Sequence, residues 1–429
     1  MLTTLAAMSS TPAVTGLDRG IPSPTSVSCG PAPLAPGLAG EWMLDPQIDF
    51  LNHGSFGALP RRVATAQDRY RAMIEARPIE MLGRRCRELL GPARAAVSSF
   101  VGARPESLGF VSNATGAVNS VLRTMELRPG DELLTTDHVY NAVRQTMRFV
   151  AERAGAVVIE APVPLPIASS TAILDQVLER ITTRTRLLVI DHVTSPTALR
   201  FPVEALIAAC RQRNIDVLVD GAHAPGMLRL DLDSLGAAFY AANLHKWTCA
   251  PKGAAFLSVR ADCAAAVHPP TVSHFLNQGF DREFDWQGTR DISAWLSVPD
   301  AIRFMDDTAL GLGWSRVIDH NHRLAVWVQQ FLCNAWNVTP LSPLDGELLG
   351  SMATVRLPEP LQPKQGAFDS FEALQLAIYE GHRIEVPVIE WGGHWHVRPC
   401  CQVYNRAEQY VRLAEAIGTL AQQARQRAG

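Results

Sequence analysis

Only three of the 39 cationic residues in this 429-residue chain are lysines: Lys246, Lys252 and Lys364. Arginine stays protonated and cannot act as an amine nucleophile, so imine chemistry has three candidate positions. Lys246 stands in Asn243-Leu244-His245-Lys246-Trp247, just after an apolar run ending at Tyr240. Lys252 follows Pro251 in a turn, and Lys364 lies in the polar loop Gln362-Pro363-Lys364-Gln365-Gly366. Upstream, Val217-Leu218-Val219-Asp220-Gly221-Ala222-His223 reads as a buried strand ending in a carboxylate beside a histidine. A buried lysine next to a cationic neighbour gives up its proton more readily, as an imine-forming amine must. An acid at one strand end and a His-Lys pair after the next apolar run are what a pyridoxal phosphate site requires. The lysine forms the imine, and the acid keeps the pyridine nitrogen protonated so that the ring accepts electrons. Taken singly, Asp220 also reads as a turn cap and His223 as a packed histidine. A solvated Lys246 fits badly between Ala-Ala and Trp-Thr-Cys-Ala-Pro.

Two further groups belong with these. Ser112-Asn113-Ala114-Thr115-Gly116 follows an apolar run and opens a helix. Free N–H groups at a helix start, a threonine hydroxyl and a glycine for close approach make a phosphate cradle, or else an ordinary N-cap. Near the end, Trp391-Gly-Gly-His-Trp-His-Val-Arg398 sets an arginine at the edge of an aromatic segment. That position suits a two-pronged grip on a carboxylate or a surface ion pair. His394 and His396 have no third ligand nearby, so no metal site is expected.

These residues need elements to hold them. Between Leu108 and Val259, seven short apolar runs alternate with amphipathic stretches: Leu108–Val111, Glu132–Thr135, Ala156–Ile159, Leu187–Ile190, Val217–Val219, Ala237–Tyr240 and Ala254–Leu257. The alternation predicts an α/β fold with a mostly parallel sheet wrapped by helices, whose ligands bind beyond the carboxyl ends of the strands. Helical spacing marks Arg61 to Ala76 and Arg84 to Val101. Residues 1–40, rich in Pro, Ala, Ser, Thr and Gly, read as a flexible arm; 41–300 as a large cofactor-binding domain; and 301–429 as a smaller α/β domain, with 41–60 packing against the latter. A net charge of −3 speaks against nucleic acid or an anionic membrane as partner. No apolar run approaches membrane-spanning length. Eight scattered cysteines read as reduced thiols of a cytoplasmic protein.

The assembled motifs resemble the class V aminotransferase family of fold-type I pyridoxal phosphate enzymes, and within it the isopenicillin N epimerase-like branch. The resemblance runs through Leu51-Asn-His-Gly-Ser-Phe-Gly57, Asp137-His-Val-Tyr140, Asp191-His-Val-Thr-Ser-Pro-Thr197, Asp220-Gly-Ala-His-Ala-Pro-Gly226, His245-Lys-Trp-Thr-Cys-Ala-Pro-Lys-Gly253, Trp286-Gln-Gly-Thr-Arg-Asp291 and Arg398 with Tyr404-Asn405. It implies that Lys246 is the Schiff-base lysine and Asp220 the partner of the pyridine nitrogen. Ala114, Thr115, Asn243 and His245 correspond to phosphate ligands, and His223 is placed to reach the phenolic oxygen or the imine. His138 or Tyr140 stacks on the ring, with Tyr140 slightly preferred. His192 and Ser195 reach the ring oxygen or substrate. Thr289 reaches the phosphate of a partner subunit, implying a homodimer, and Asn52, His53 and Ser55 line the substrate entrance beside Arg398.

The chain also departs from the family pattern. Cys400 replaces a common serine, Val139 a common acidic residue, and no persulfide-forming cysteine lies between Gly381 and Arg398. Once the Cα proton is removed, the electrons can lead to epimerisation, loss of a β-substituent or transamination, and loss of the carboxylate is a fourth course. The preferred expectation is a C–S β-lyase acting on a large cysteine-derived amino acid. An epimerase, a decarboxylating or oxidatively deaminating variant, or an aminotransferase are the alternatives, and a silent binding protein of the same fold is opposed by the intact Lys246 and Asp220.

Overall fold

The computed structural model describes residues 30–35 and 37–428. Most of the segment read as a flexible arm, 1–29, lies outside the described residues. Its last part is packed at Leu38, which is buried, and just beyond it Trp42 meets Phe304 and Tyr404 edge-on.

All seven apolar runs become strands of one sheet: β1 (Leu108–Val111), β2 (Glu132–Thr136), β3 (Val157–Ala161), β4 (Thr185–Asp191), β5 (Asp216–Asp220), β6 (Phe239–Asn243) and β7 (Ala255–Val259). Their order across the sheet is β1-β7-β6-β5-β4-β2-β3, and only β7 runs against the others. The runs are continuously apolar because both faces are covered, as parallel sheets require. Leu188 and Ile190 of β4 pack into one core, and Leu187 and Val189 into another on the opposite face. That two-residue alternation leaves the strand ends to carry polar side chains.

Helix α1 (Arg61–Ala76) matches the helical spacing, but the next helix, α2 (Cys86–Val101), starts later than expected because Ile79–Arg84 forms a wider π turn first. Helix α3 (Ala114–Thr124) follows β1 and is capped by Asn113, whose side chain accepts from the Gly116 N–H. Helix α4 (Asn141–Ala154) follows β2.

A further core gathers around helix α5 (Trp314–Trp336), the small antiparallel sheet of β8 (Val355–Arg356), β9 (Val388–Trp391) and β10 (His394–Val397), and helices α6 (Phe371–His382) and α7 (Ala407–Ala428). Leu51 belongs to this core, and Asp49–Phe50 pairs in parallel with Ile384–Glu385. Arg398 directly follows β10 and is thereby carried to the end of the large sheet.

Two glycines set how closely the segments meet. A Cβ on Gly57, which has φ +70°, would sit 1.9 Å from the His245 carbonyl oxygen. One on Gly221 would sit 2.2 Å from the Tyr240 ring. Neither neighbour can retreat cheaply, since one is backbone and the other a buried ring.

Candidate active site

Beyond the carboxyl ends of β1, β4, β5 and β6 lies a cavity of about 380 Å³. Lys246 enters it from the turn after β6 and is partly buried; desolvation pulls its pKa from 10.5 down to about 8, with Arg398 adding to the shift and Asp220 opposing it. Its Nζ is 3.1 Å from Nε2 of His223, whose Nδ1 accepts from the Trp247 indole N–H at 3.3 Å. An indole can only donate, so a neutral His223 carries its proton on Nε2 and points it at the lysine. Burial, then the nearby Lys246 charge, holds the His223 pKa well below its usual value. The contact therefore favours a neutral, accepting amine at Lys246.

The floor is acidic. Asp220, at the end of β5, is buried and accepts from the Ala222 N–H at 2.9 Å. Its register neighbour on β4 is Asp191, also buried and also lining the cavity. Burial pushes both carboxyls upward, and in Asp191 the Asp220 charge adds to it.

At the other end, α3 points its first turn inward. The Ala114 N–H donates to Asn243 Oδ1 at 2.8 Å, which ties the helix start to β6. The Gly116 N–H is taken by Asn113. The first N–H groups of a helix have no intrahelical acceptor, so the Thr115 N–H and hydroxyl remain to meet an anion here. His245 also lines this end; burial lowers its pKa to about 4, and its Nδ1 lies 3.1 Å from the Ala254 carbonyl.

Arg398 borders the cavity through Ser195 and Ser55. Its guanidinium donates to the Ser195 carbonyl, to Ser195 Oγ at 3.1 Å and to Ser55 Oγ at 3.4 Å. It is 4% exposed, its Nε has no partner, and no aspartate or glutamate pairs with it among the described residues. A buried charge without a counterion is costly, so this arginine is built to receive an anion. Asn52 stands behind Ser55, accepting its hydroxyl proton at 2.5 Å and donating to Glu385 at 2.9 Å.

Several residues singled out in the sequence do not line the cavity. His138 is buried with both ring nitrogens engaged, to Thr197 Oγ1 at 2.6 Å and the Val163 carbonyl at 2.7 Å, whereas Tyr140 does line it. His192 turns beneath the sheet to the Tyr240 hydroxyl at 2.8 Å. His53 lies behind the lysine turn: Nε2 donates to the Lys246 carbonyl at 3.0 Å and Nδ1 accepts from the Tyr404 hydroxyl at 2.7 Å. Burial holds His53 near pKa 3, which keeps that tautomer neutral. Thr289 is exposed, away from the cavity. Conversely, Phe56 and Asp191 line it without having been singled out as site residues, and Lys252, one of the three candidate amines, lines it as well. The Asp-His pair at the end of β4 was the available signal for Asp191, and its register with Asp220 was the missing part.

The Aminotransferase class-V family profile matches residues 55–413. This chain belongs to that family. It is 35% identical to isopenicillin N epimerase of Amycolatopsis lactamdurans, over 88% of this chain and 96% of the relative. It is 33% identical to putative L-cysteine desulfhydrase 1 of Oryza sativa subsp. japonica, over 86% and 82%. A cystine C–S lyase solved with its product cysteine persulfide shares the fold with a TM-score of 0.71, at 20% identity over 88% of this chain and 98% of that one.

This class V enzyme is thus pyridoxal phosphate-dependent, and the cavity fits the group. It offers an amine with a pKa lowered to about 8, buried carboxyls opposite, unpaired donors at a helix start, and room of the right order. Only the neutral amine reacts. Cofactor uptake by the apoprotein is therefore expected to quicken about tenfold per pH unit below pKa 8 and to level off above it. Stopped-flow absorbance after mixing apoprotein with pyridoxal phosphate checks this, and a rate still climbing steeply toward the lysine's ordinary pKa would contradict it.

Proposed function

We propose that the enzyme cleaves the C–S bond of a large S-substituted L-cysteine, converting it with water to a thiol, pyruvate and ammonium. One observation carries this reading: Lys246, with a lowered pKa, lines the cavity, and the buried Arg398, without a counterion among the described residues, meets two of the residues that line it, Ser195 and Ser55. Arg398, with Ser195 and Ser55, holds the substrate carboxylate. Bound pyridoxal phosphate supplies an electron sink for the pair left at Cα. Lys246, once displaced, takes the Cα proton as general base. His223 directs an N–H at Lys246 and so disfavours its ammonium form, which inclines the lysine to pass the proton on to the departing sulfur. Tyr140 and Phe56, 46% and 72% exposed, offer an aromatic mouth to the sulfur substituent. The desulfhydrase relative supports C–S cleavage, while the epimerase relative supports inversion at Cα. Incubating holoenzyme with S-substituted L-cysteines separates the two. Thiol and pyruvate in equal amounts support the lyase; D-amino acid without thiol favours the epimerase and defeats it.

In this reading Asp220 faces the pyridine nitrogen, Thr115, Asn243 and His245 surround the phosphate, and Tyr140 stacks on the ring. Asp220→Asn should retain cofactor yet lose about a hundredfold or more in kcat, since a neutral amide does not hold the pyridinium proton. Turnover like that of the native enzyme would make Asp220 merely structural. We read the exposed Thr289 loop as reaching the phosphate site of a second copy, so a homodimer is expected on sedimentation. Residues 41–300 and 301–429 are read as the large and small domains. No helix among the described residues is long and apolar enough to cross a membrane. The seven described cysteines are free, which supports a cytoplasmic setting.

A further inference from the structure

Asp191 and Asp220 end two adjacent parallel strands and are direct register partners. Paired residues of a parallel ladder project from the same face, with the strands about 4.8 Å apart. Both carboxyls therefore lie side by side on the cavity floor, and both residues are almost fully buried, at 2% and 4% exposure. Asp220 has its Oδ1 bonded to the Ala222 N–H. Asp191 lies against the Tyr140 backbone N–H, while its Oδ2 is buried with no partner among the described residues.

We propose that Asp191 is a second functional carboxyl of this site, a positioning residue that stays protonated beside Asp220, so that the pair presents one negative charge to the cavity instead of two. Two carboxylates this close in a dry site cannot both ionise, and such a pair titrates as a unit. The surrounding charges do not offset a second anion. Lys246 is favoured as the neutral amine by His223. Arg144, on α4, is engaged by Glu160 at 3.1 Å. The upward push on Asp191 agrees with this placement. The unpartnered Oδ2 is where the hydroxyl sits. It leaves Asp220 as the single anion, steadied by the Ala222 N–H. The same Asp191 carboxyl braces the turn that presents Tyr140, linking the floor of the cavity to its mouth. The proposal deepens the assignment of Asp220 to the pyridine nitrogen and rests on it for its catalytic meaning.

The test is infrared spectroscopy of the apoprotein at about pH 8, where Asp285, with its pKa pushed up to about 6, is ionised. The native protein should show the carbonyl band of one buried protonated carboxyl. Asp191→Asn should remove it, and in Asp220→Asn, with the neighbouring charge gone, it should titrate away at a lower pH than in the native protein. Absence of the band in native protein, or its survival in Asp191→Asn, overturns the proposal. Should Asp191→Asn fail to fold, the native spectrum and Asp220→Asn decide, since a band that titrates no lower in Asp220→Asn than in the native protein removes the coupling between the two carboxyls and overturns the proposal. In the holoenzyme, Asp191→Asn mimics the neutral acid and should hold cofactor within about threefold of native affinity, less than the tenfold that about 1.4 kcal/mol represents. A loss far beyond that also counts against a protonated Asp191. If Asp220→Asn turns over normally while the band pattern holds, the nitrogen-partner reading fails and the protonated Asp191 stands.

Discussion

Lys246→Ala will yield a folded protein that no longer retains cofactor covalently and whose turnover is lost by about three orders of magnitude or more. The lysine is assigned two tasks, anchoring the cofactor and carrying the Cα proton, and general-base catalysis alone contributes about 10²- to 10⁴-fold. The protein should tolerate the change, because the substitution removes a buried amine whose pKa was already lowered by desolvation, and His53 still secures the turn through its backbone carbonyl. Lys252 is the competing amine, as it also lines the cavity, but its Nζ is held by the Gly57 carbonyl at 3.1 Å. Absorbance of the purified variant and thermal unfolding read the two consequences separately. Full turnover in Lys246→Ala would remove the basis of the assignment.

The second large effect is at Arg398. Lysine keeps the charge there but loses the fork, and with it one of two charge-assisted hydrogen bonds to the substrate carboxylate, each worth about 1.5–3 kcal/mol where water is excluded. Arg398→Lys should therefore weaken amino-acid binding by about tenfold or more. Cofactor content should be unchanged, since the guanidinium meets Ser195 and Ser55 and not the phosphate end of the cavity. Titrating the cofactor absorbance with substrate measures it. Unchanged affinity would pass the role to another arginine. Neither obvious substitute is well placed: Arg290 stacks over Trp295, and Arg383 is exposed at the end of α6.

What the sequence made legible was local. Seven apolar runs could be read because a doubly covered sheet demands them, and Lys246 and Asp220 because each sits at the end of such a run. Contacts between distant segments were not legible. Nothing near residue 195 announces that Arg398 will donate to it, for that meeting depends on how β10 is carried to the large sheet. Asp191 escaped notice for the same reason, since its importance lies in its register with Asp220. The histidines mislead in the opposite direction. His53, His138 and His192 sit in chemistry-bearing motifs, yet folding engages each of them with a hydroxyl, and His53 and His138 with a backbone carbonyl as well. Buried polar groups must find partners, and a motif does not reveal whether the partner is a ligand or the chain itself.

Lys246, its pKa lowered to about 8 chiefly by desolvation, is the residue assigned to bond the cofactor. Borohydride reduction of the holoenzyme followed by peptide mapping tests it directly, because reduction makes the lysine–cofactor bond permanent. The account predicts the label on the peptide containing Lys246 alone. Label on Lys252 or Lys364 would contradict it.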